Sequence, residues 1–467
     1  MGRFPRLRFD IEALGKIDAV YLTHAHCDHL DPYTLVRLWD ELRHSPTLII
    51  PVSLSYLVPV FQKYLHNPDI MILKPHEPTV FQTIALLGFF DVGQQSNNEE
   101  DVMVLVITHQ QERVLIEADA RLELSLINFR QYISMLMRDP KLESAVFLTT
   151  ENELTGTMES RNCSTLSERE ELYSYAFEEL YESIHQLYVP VDDPQDLWHG
   201  KNVLRLIHGQ GLTAPHELDN RWQKILFPVR IADRIQAEKD VSQSHGFQHS
   251  IAGLRVGYVH TIHKGKITKE QPLSGLLVLD KEEKRMFDIQ LSFFPELPCA
   301  PIHMESRDIQ TQQIKIIELL NEFFLPFLHG MRQPPVHHLL AEHQGEYRIR
   351  IYYGQRTNEQ VFDYILGFQQ LYFVQQEVSE KEPHEAYWAN DLEDFSTGTC
   401  DEFSTFCRKQ FPVPYMRLWS ALATPLLNSN IVKKRIRLHF ERARNGLSPG
   451  TWVVKKYHTP TISSIKE

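Results

Sequence analysis

Over the first 150 residues, short apolar runs alternate with segments in which apolar residues recur at helical spacing. Asp18–Thr23, Thr47–Ile50, Ile70–Leu73, Val80–Phe90, Val102–Ile107, Val114–Glu117 and Ala145–Thr149 read as strands, rich in β-branched and aromatic residues and bounded by turn formers. Pro32–Arg43, Ser53–Leu65 and Leu122–Met137 read as helices, and Pro32 suits a first helical turn. This mixture predicts a layered sheet-and-helix domain. The middle is mostly helical, over Leu166–Leu187 and Trp222–Glu238, with a short strand, Val203–Gly209, between them and a polar, flexible stretch expected at Lys239–His249. Strands return between about 250 and 295. A helix at Gln310–Leu328, a strand at EYRIRIYYG and helices at Asp391–Lys409 and Tyr415–Asn445 complete the pattern, the last one broken near Pro425.

The 467 residues suffice for two or three domains, and 42% apolar with 23% charged residues is the composition of a globular chain with a sizeable core. Forty-eight basic against 61 acidic residues give a net charge of −13, which argues against a nucleic-acid-binding face and against a polybasic membrane anchor. No apolar run reaches the length of a spanning helix, and MGRFPRLRFD lacks the apolar region of a secretory signal. Cys27, Cys163, Cys299, Cys400 and Cys407 are scattered and odd in number, the usage of reduced cysteine, so a cytoplasmic location is expected. Histidine is abundant, at 23 copies, and is the commonest metal ligand.

Those histidines concentrate in Thr23-His24-Ala25-His26-Cys27-Asp28-His29-Leu30-Asp31, between a predicted strand and a predicted helix. In extended backbone, residues two apart face the same way, so His24 and His26 can approach one ion together. The chain then turns into the helix, and Asp28 and His29 can face a second ion nearby. Two imidazoles, a carboxylate and a third imidazole in six residues suit a dinuclear site.

The segment resembles the H-x-H-x-D-H signature of the metallo-β-lactamase superfamily. The resemblance implies an α/β fold, an αββα sandwich with the site at one sheet edge. It implies that His24 and His26 bind a first metal ion and that Asp28 and His29 bind a second. It also implies a bridging carboxylate at a strand end, for which Asp119 in RVLIEADAR is the match. The first ion's remaining ligand is usually His, but LLGFFDVGQQSNNEED has none; Asp91 is the first choice there, with Glu99 and Glu100 as alternatives. For the last ligand, His208 in LRLIHGQG fits, and His216, His245, His249, His260 and His263 compete with it. Several strands normally precede the motif in this family, whereas here it begins at residue 24, so the N-terminal strands are expected to be missing or abbreviated. A second, lesser resemblance, carried by NNEEDVMVLVITHQQERVLIEADA, DYILGFQQLYF and IRLHFERA, is to CMP-sialic acid hydroxylase-like members. Those use iron and oxygen and carry an extra iron–sulfur domain, for which this chain has no Cys/His pattern. The domain expectation is a metal-binding domain over 1–295, with a helical insertion at about 160–190, and a C-terminal extension over 305–460 that mixes helix and strand, helix predominating.

Other features have simpler readings. Cys27 reads as structural, and Thr149–Glu153 as either a site rim or a solvated loop. His337 and His338, with His343, lie in a proline-containing linker, and the acidic run Glu168–Glu182 is a solvated helix face. Gly446–Gly450 has the letters of a nucleophile elbow but reads as a turn, because a helical pattern precedes it.

Two divalent ions, zinc or iron, are the expected cofactors. The leading expectation is a hydrolase in which metal-bound hydroxide attacks a small-molecule substrate, with Asp28 and Asp119 as the catalytic carboxylates. The alternative is a non-haem diiron oxygenase or hydroxylase on the same fold, with a redox partner if the site holds iron; a scaffold without chemistry is the third. Neither nucleic acid nor membrane is expected as a partner.

Overall fold

The computed structural model describes residues 14–25, 29–90, 102–118, 142–151, 202–209, 231–247, 249–254, 258–272, 307–330, 344–354, 360–369, 372–381, 383–396 and 425–446, with isolated positions elsewhere, among them several helical ones within 178–188. Sixteen strands in these residues form four sheets.

The first sheet is parallel, in order β1 (Ala19–Tyr21), β2 (Thr47–Pro51), β3 (Asp69–Leu73). The second has seven strands in order β10-β9-β8-β7-β6-β5-β4. Its antiparallel part is β4 (Thr79–Phe81), β5 (Ile84–Phe90), β6 (Met103–His109) and β7 (Glu112–Ala118). From β7 it continues in parallel through β8 (Ser144–Glu151), β9 (Asn202–Gly209) and β10 (Ser250–Gly253).

Alternation along each strand sorts the side chains into layers. Ile49, Leu73, Ala19 and Tyr21 from the first sheet meet Leu86, Met103, Leu105 and Ile107 from the second, forming the core between the sheets. The opposite face of the first sheet, with Leu48 and Ile50, packs on helices Pro32–Glu41 and Val58–Tyr64 and on helix Pro425–Arg444. The opposite face of the second, with Val104, Leu115, Phe147 and Val203, packs on Ile184, Leu187 and Tyr188 and on Ala237 and Val241 of helix Ile231–Ser244. The order helix–sheet–sheet–helix is the expected αββα sandwich. Where the three-stranded sheet no longer covers its partner, the hairpin β11 (Tyr258–His263) and β12 (Lys266–Pro272) places Ile262 and Ile267 against Val146, Leu204 and Leu206.

The C-terminal residues contain both sheet and helix. Strands β13 (Glu346–Tyr353), β14 (Gln360–Gly367), β15 (Val374–Glu377) and β16 (Glu385–Trp388) form a sheet in order β15-β14-β13-β16. Its apolar face packs on helix Ile309–Glu318, a π-helical turn over Leu319–Phe324 and helix Leu325–Gly330. The π turn places Asn321, which accepts from the Phe373 N–H at 2.6 Å and donates to its carbonyl at 3.2 Å. Helix Ala389–Ser396 adds Leu392 to this core.

Helix Pro425–Arg444 returns to the N-terminal layer. Val432, Ile436 and Phe440, spaced four apart on one face, are buried there, and Phe440 packs on Phe61 and stacks on Tyr64. Arg444 donates to Asp40 at 2.7 and 2.8 Å and to the Tyr64 carbonyl, while the Tyr64 hydroxyl donates to Glu441. The described part of the expected Tyr415–Asn445 helix begins at Pro425, residues 415–424 lying outside the described residues, and Gly446 at φ +66° follows its end, consistent with a turn there.

Three expectations need correction. Val80–Phe90 is not one strand but the hairpin β4–β5, turned at Gln82 with φ +52°. Ser53–Leu65 starts as a 3₁₀ turn, Val52–Leu57, before the α-helix. Lys239–His249 is not a flexible stretch: helix runs to Ser244, because Val241 and Ser242 face the core at 0% and 1% exposure. Leu122–Met137, the strands expected after residue 272 and the pairs at His337–His338 and His343 lie outside the described residues.

Candidate metal centre

Strand direction brings several of the described segments that precede or follow the candidate residues to one edge. β7, β8, β9 and β10 run in parallel and end there, β6 starts there, and β5 ends there. The segment after β1 reaches the same edge. The Leu22 N–H donates to Ile49 O at 3.0 Å, extending the first sheet by one residue, and the Met103 N–H at the head of β6 donates to Thr23 O at 3.3 Å. The Tyr21 hydroxyl donates to Met103 O at 2.7 Å. Burial pushes that phenol well above its ordinary pKa, so it stays a donor. Gly88 on β5 makes room for this join: a Cβ there would lie 2.3 Å from the Met103 sulfur.

His24 is fully buried, and its ring lies 4.2 Å from that of His29 at 38°. Thr23 Oγ1 lies 2.9 Å from His24 Nδ1 and 3.3 Å from His29 Nδ1. A hydroxyl has two acceptor lone pairs, so it can accept from both Nδ1–H groups at once. In that tautomer each Nε2 carries the lone pair that a metal requires, the usual arrangement of ligating histidine with an outer partner. Asp31 has a different duty: it caps helix Pro32–Glu41, accepting from the Tyr33 and Thr34 N–H groups at 3.1 and 3.3 Å. His26, Cys27 and Asp28 lie outside the described residues.

Asp91 follows the last residue of β5 and Asp119 the last residue of β7; both, like Glu99 and Glu100, lie outside the described residues. The residue before Asp119 is informative. Ala118 has φ +53°, beside a register shift between Ile116 and Ala118. A left-handed non-glycine residue costs about 1–2 kcal/mol, and such strain clusters at functional positions.

His208 pairs with Thr150 in register near the end of β9 and by alternation shares a face with Leu204 and Leu206, turned toward the first sheet's side. Its competitors separate. His260 pairs with Glu270 across the β11–β12 hairpin at 3.2 Å, His263 is exposed at that hairpin's turn, and His249 packs beside Tyr188 and Phe247. His245 lies beside His185, and His216 is outside the described residues. Thr149 is buried in β8, while Asn152 and Glu153 are outside the described residues.

On the opposite face of β7 and β9, just short of their ends, lies a charge cluster that sequence reasoning missed. Arg205, Arg234, Glu117 and Glu238 are at most 2% exposed. Arg205 pairs with Glu238 and lies 3.8 Å from Glu117; Arg234 lies 3.5 Å from Glu238, and the Tyr188 hydroxyl donates to Glu238 at 2.8 Å. Burial disfavours the Glu238 anion, but Arg205 and Arg234 outweigh it and hold its pKa below the ordinary value. A charged residue inside an otherwise apolar strand, as in VLRLIHG, was the available signal.

Among the described residues no three His, Cys, Asp or Glu side chains form a metal-binding group, and no helix is long and apolar enough to cross a membrane. No protein-family model and no curated protein matches the chain. Solved structures similar to it include the metallo-β-lactamase fold protein YhfI from Bacillus subtilis, 13% identical with a TM-score of 0.28 over 51% of this chain and 75% of that one. CmlA, a diiron β-hydroxylase from Streptomyces venezuelae, is 13% identical with a TM-score of 0.27 over 52% of this chain and 44% of its own, so the chain spans less than half of it. Unliganded yeast PDE1 is 14% identical with a TM-score of 0.28 over 51% and 67%. At such scores these likenesses add no constraint on the site. The chain's own H-x-H-x-D-H letters and its helix–sheet–sheet–helix order carry its resemblance to the metallo-β-lactamase superfamily.

Proposed function

We propose that the chain is a dinuclear metal-dependent hydrolase of a small-molecule substrate. The observation that carries this reading is the shared contact of Thr23 Oγ1 with both His24 and His29. If the hydroxyl accepts from both Nδ1–H groups, it pre-sets two adjacent imidazoles in the tautomer that ligates, and a donor set of neutral imidazoles and carboxylates fits two divalent ions. His24, His26 and Asp91 would hold one ion, Asp28, His29 and His208 the other, and Asp119 would bridge them. When bound, such ions supply Lewis-acid polarisation and water of lowered pKa. The protein's part is placement. Thr23 and the buried surroundings of His24 would fix the ligand rings, and Asp28 and Asp119 would orient the attacking water.

A second reading, a diiron oxygenase or hydroxylase, draws support from one sequence feature. The stretch after β5 offers Asp91, Glu99 and Glu100 and no histidine, and carboxylate donors suit iron. That reading also requires a redox partner. Metal content and an absorption spectrum on protein prepared with and without air decide between them. Two zinc ions at this centre, a featureless spectrum and turnover of ester, lactone or phosphodiester substrates are the expected result. Two irons with a charge-transfer band, and oxygen uptake with a reductant, would overturn hydrolysis in favour of the second reading.

A further inference from the structure

We propose that His185 and His245 form a second, peripheral metal site, a two-histidine clamp for a borderline divalent cation of the Zn²⁺ or Cu²⁺ class. Their Nε2 atoms lie 3.2 Å apart and their rings 4.6 Å apart at 79°. Two nitrogens bound to one zinc at ordinary bond lengths and a tetrahedral angle lie about 3.3 Å apart. The pair therefore already has the N···N separation of two imidazoles on one ion.

The backbone under each histidine is fixed. His185 follows Ile184, which is fully buried, and stands one turn before the fully buried Tyr188. His245 closes helix Ile231–Ser244: its N–H donates to Val241 O, the Gly246 N–H to Gln243 O, and the Phe247 N–H to Ser242 O at 2.9 Å. Gly246 takes φ +79° to make that turn. Phe247 then packs edge-on against Tyr188 at 5.1 Å, joining the two histidine-bearing segments beneath the pair. The ligands come from elements 60 residues apart, so a bound ion would tie them together. Both side chains stand at the surface, so the ion need not be stripped of all its water, and solvent would fill the remaining positions. The competing account is a direct N–H···N bond between complementary tautomers, which the same distance allows.

The test is zinc stoichiometry on the full chain by equilibrium dialysis and elemental analysis, in wild type, His185→Ala, His245→Ala and His24→Ala. Loss of one zinc equivalent in each of the first two, with that equivalent kept in His24→Ala, is expected. Zinc should also raise the melting temperature of His24→Ala but not of His24→Ala/His185→Ala. Full wild-type stoichiometry in both His185→Ala and His245→Ala would overturn the proposal and leave the hydrogen bond as the pair's only role. If either alanine variant lost its fold, His185→Phe, which keeps ring volume without a ligand atom, must lose the same equivalent. The outcome does not depend on the chemistry of the principal site, because the His24→Ala background counts the peripheral ion separately.

Discussion

The molecule contains two clusters of opposed charge, and they differ in what surrounds them. In the first, Arg205, Arg234, Glu117 and Glu238 join β7 and β9 to helix Ile231–Ser244, with Tyr188 from the neighbouring helical segment, all at 2% exposure or less. In the second, Arg348 and Arg350 of β13 hold Asp363 of β14, and Glu346 and the exposed Lys381 extend the group to solvent. The second lies on one face of a single sheet across neighbouring strands: Asp363 at its centre is fully buried, and only its edge, through Glu346 and Lys381, reaches solvent. The first binds sheet to helix in the dry interior, two residues before Asp119 and three before His208. Partner removal should therefore cost more in the first cluster and reach the strand ends of the candidate metal centre.

The largest expected effect is that of Arg205→Met. It leaves Glu238 short of its main partner and should lower stability by about 3–5 kcal/mol in urea unfolding. A loss under 1 kcal/mol would show that the two clusters do not differ as argued. Asp363→Asn should cost less, about 1.5–3 kcal/mol, with metal content unchanged: Asp363 is itself fully buried, but Arg348 keeps Glu346 and Arg350 keeps the Ser379 and Lys381 carbonyls as partners.

Acid should act on both clusters in the same direction. Burial opposes ionisation of Asp363, but Arg350, the Ser379 N–H and Arg348 together lower its pKa. Glu238 is lowered likewise. Both contributions are therefore fully present above the unfolded values, about 3.9 and 4.3, and are lost as pH falls through the lower folded values. Unfolding followed below pH 5 should show stability falling with acid in wild type, with a shallower dependence in Asp363→Asn; an unchanged slope would remove Asp363 from the account. The smallest effect on stability is expected from Thr23→Val, yet metal affinity should fall about 10–100-fold in competition with a chelator, as for other outer-shell partners of ligating histidine. Unaltered affinity would mean that Thr23 does not set the tautomers.

Much of the layer order was readable because the strands are compact apolar runs: β2, β3, β8 and β9 lie within a few residues of their expected positions. The β4–β5 turn was not, since Gln82 reaches the left-handed region without a Gly, Asn or Pro to mark it. Helix to Ser244 was missed because polar letters hid the single buried stripe through Ala237 and Val241. At the candidate centre, the histidine spacing was plain, while the role of Thr23 depends on a three-atom geometry that no spacing rule contains. The return of helix Pro425–Arg444 to the N-terminal layer is likewise a long-range fact, visible in one strip of Val432, Ile436 and Phe440 only once its destination is known.

That return has a consequence for synthesis. Tyr64 meets Glu441 and Arg444 across 377 and 380 residues of sequence, and Asp40 meets Arg444 across 404. At ordinary translation speeds of about 5–20 residues per second, the nascent first layer waits roughly 20–80 s before the helix that seals it leaves the ribosome. For that interval Leu54, Leu57, Phe61 and Tyr64 lack part of their native cover. A newly made chain would then offer chaperones the apolar surface of these residues until residues 425–444 have been made.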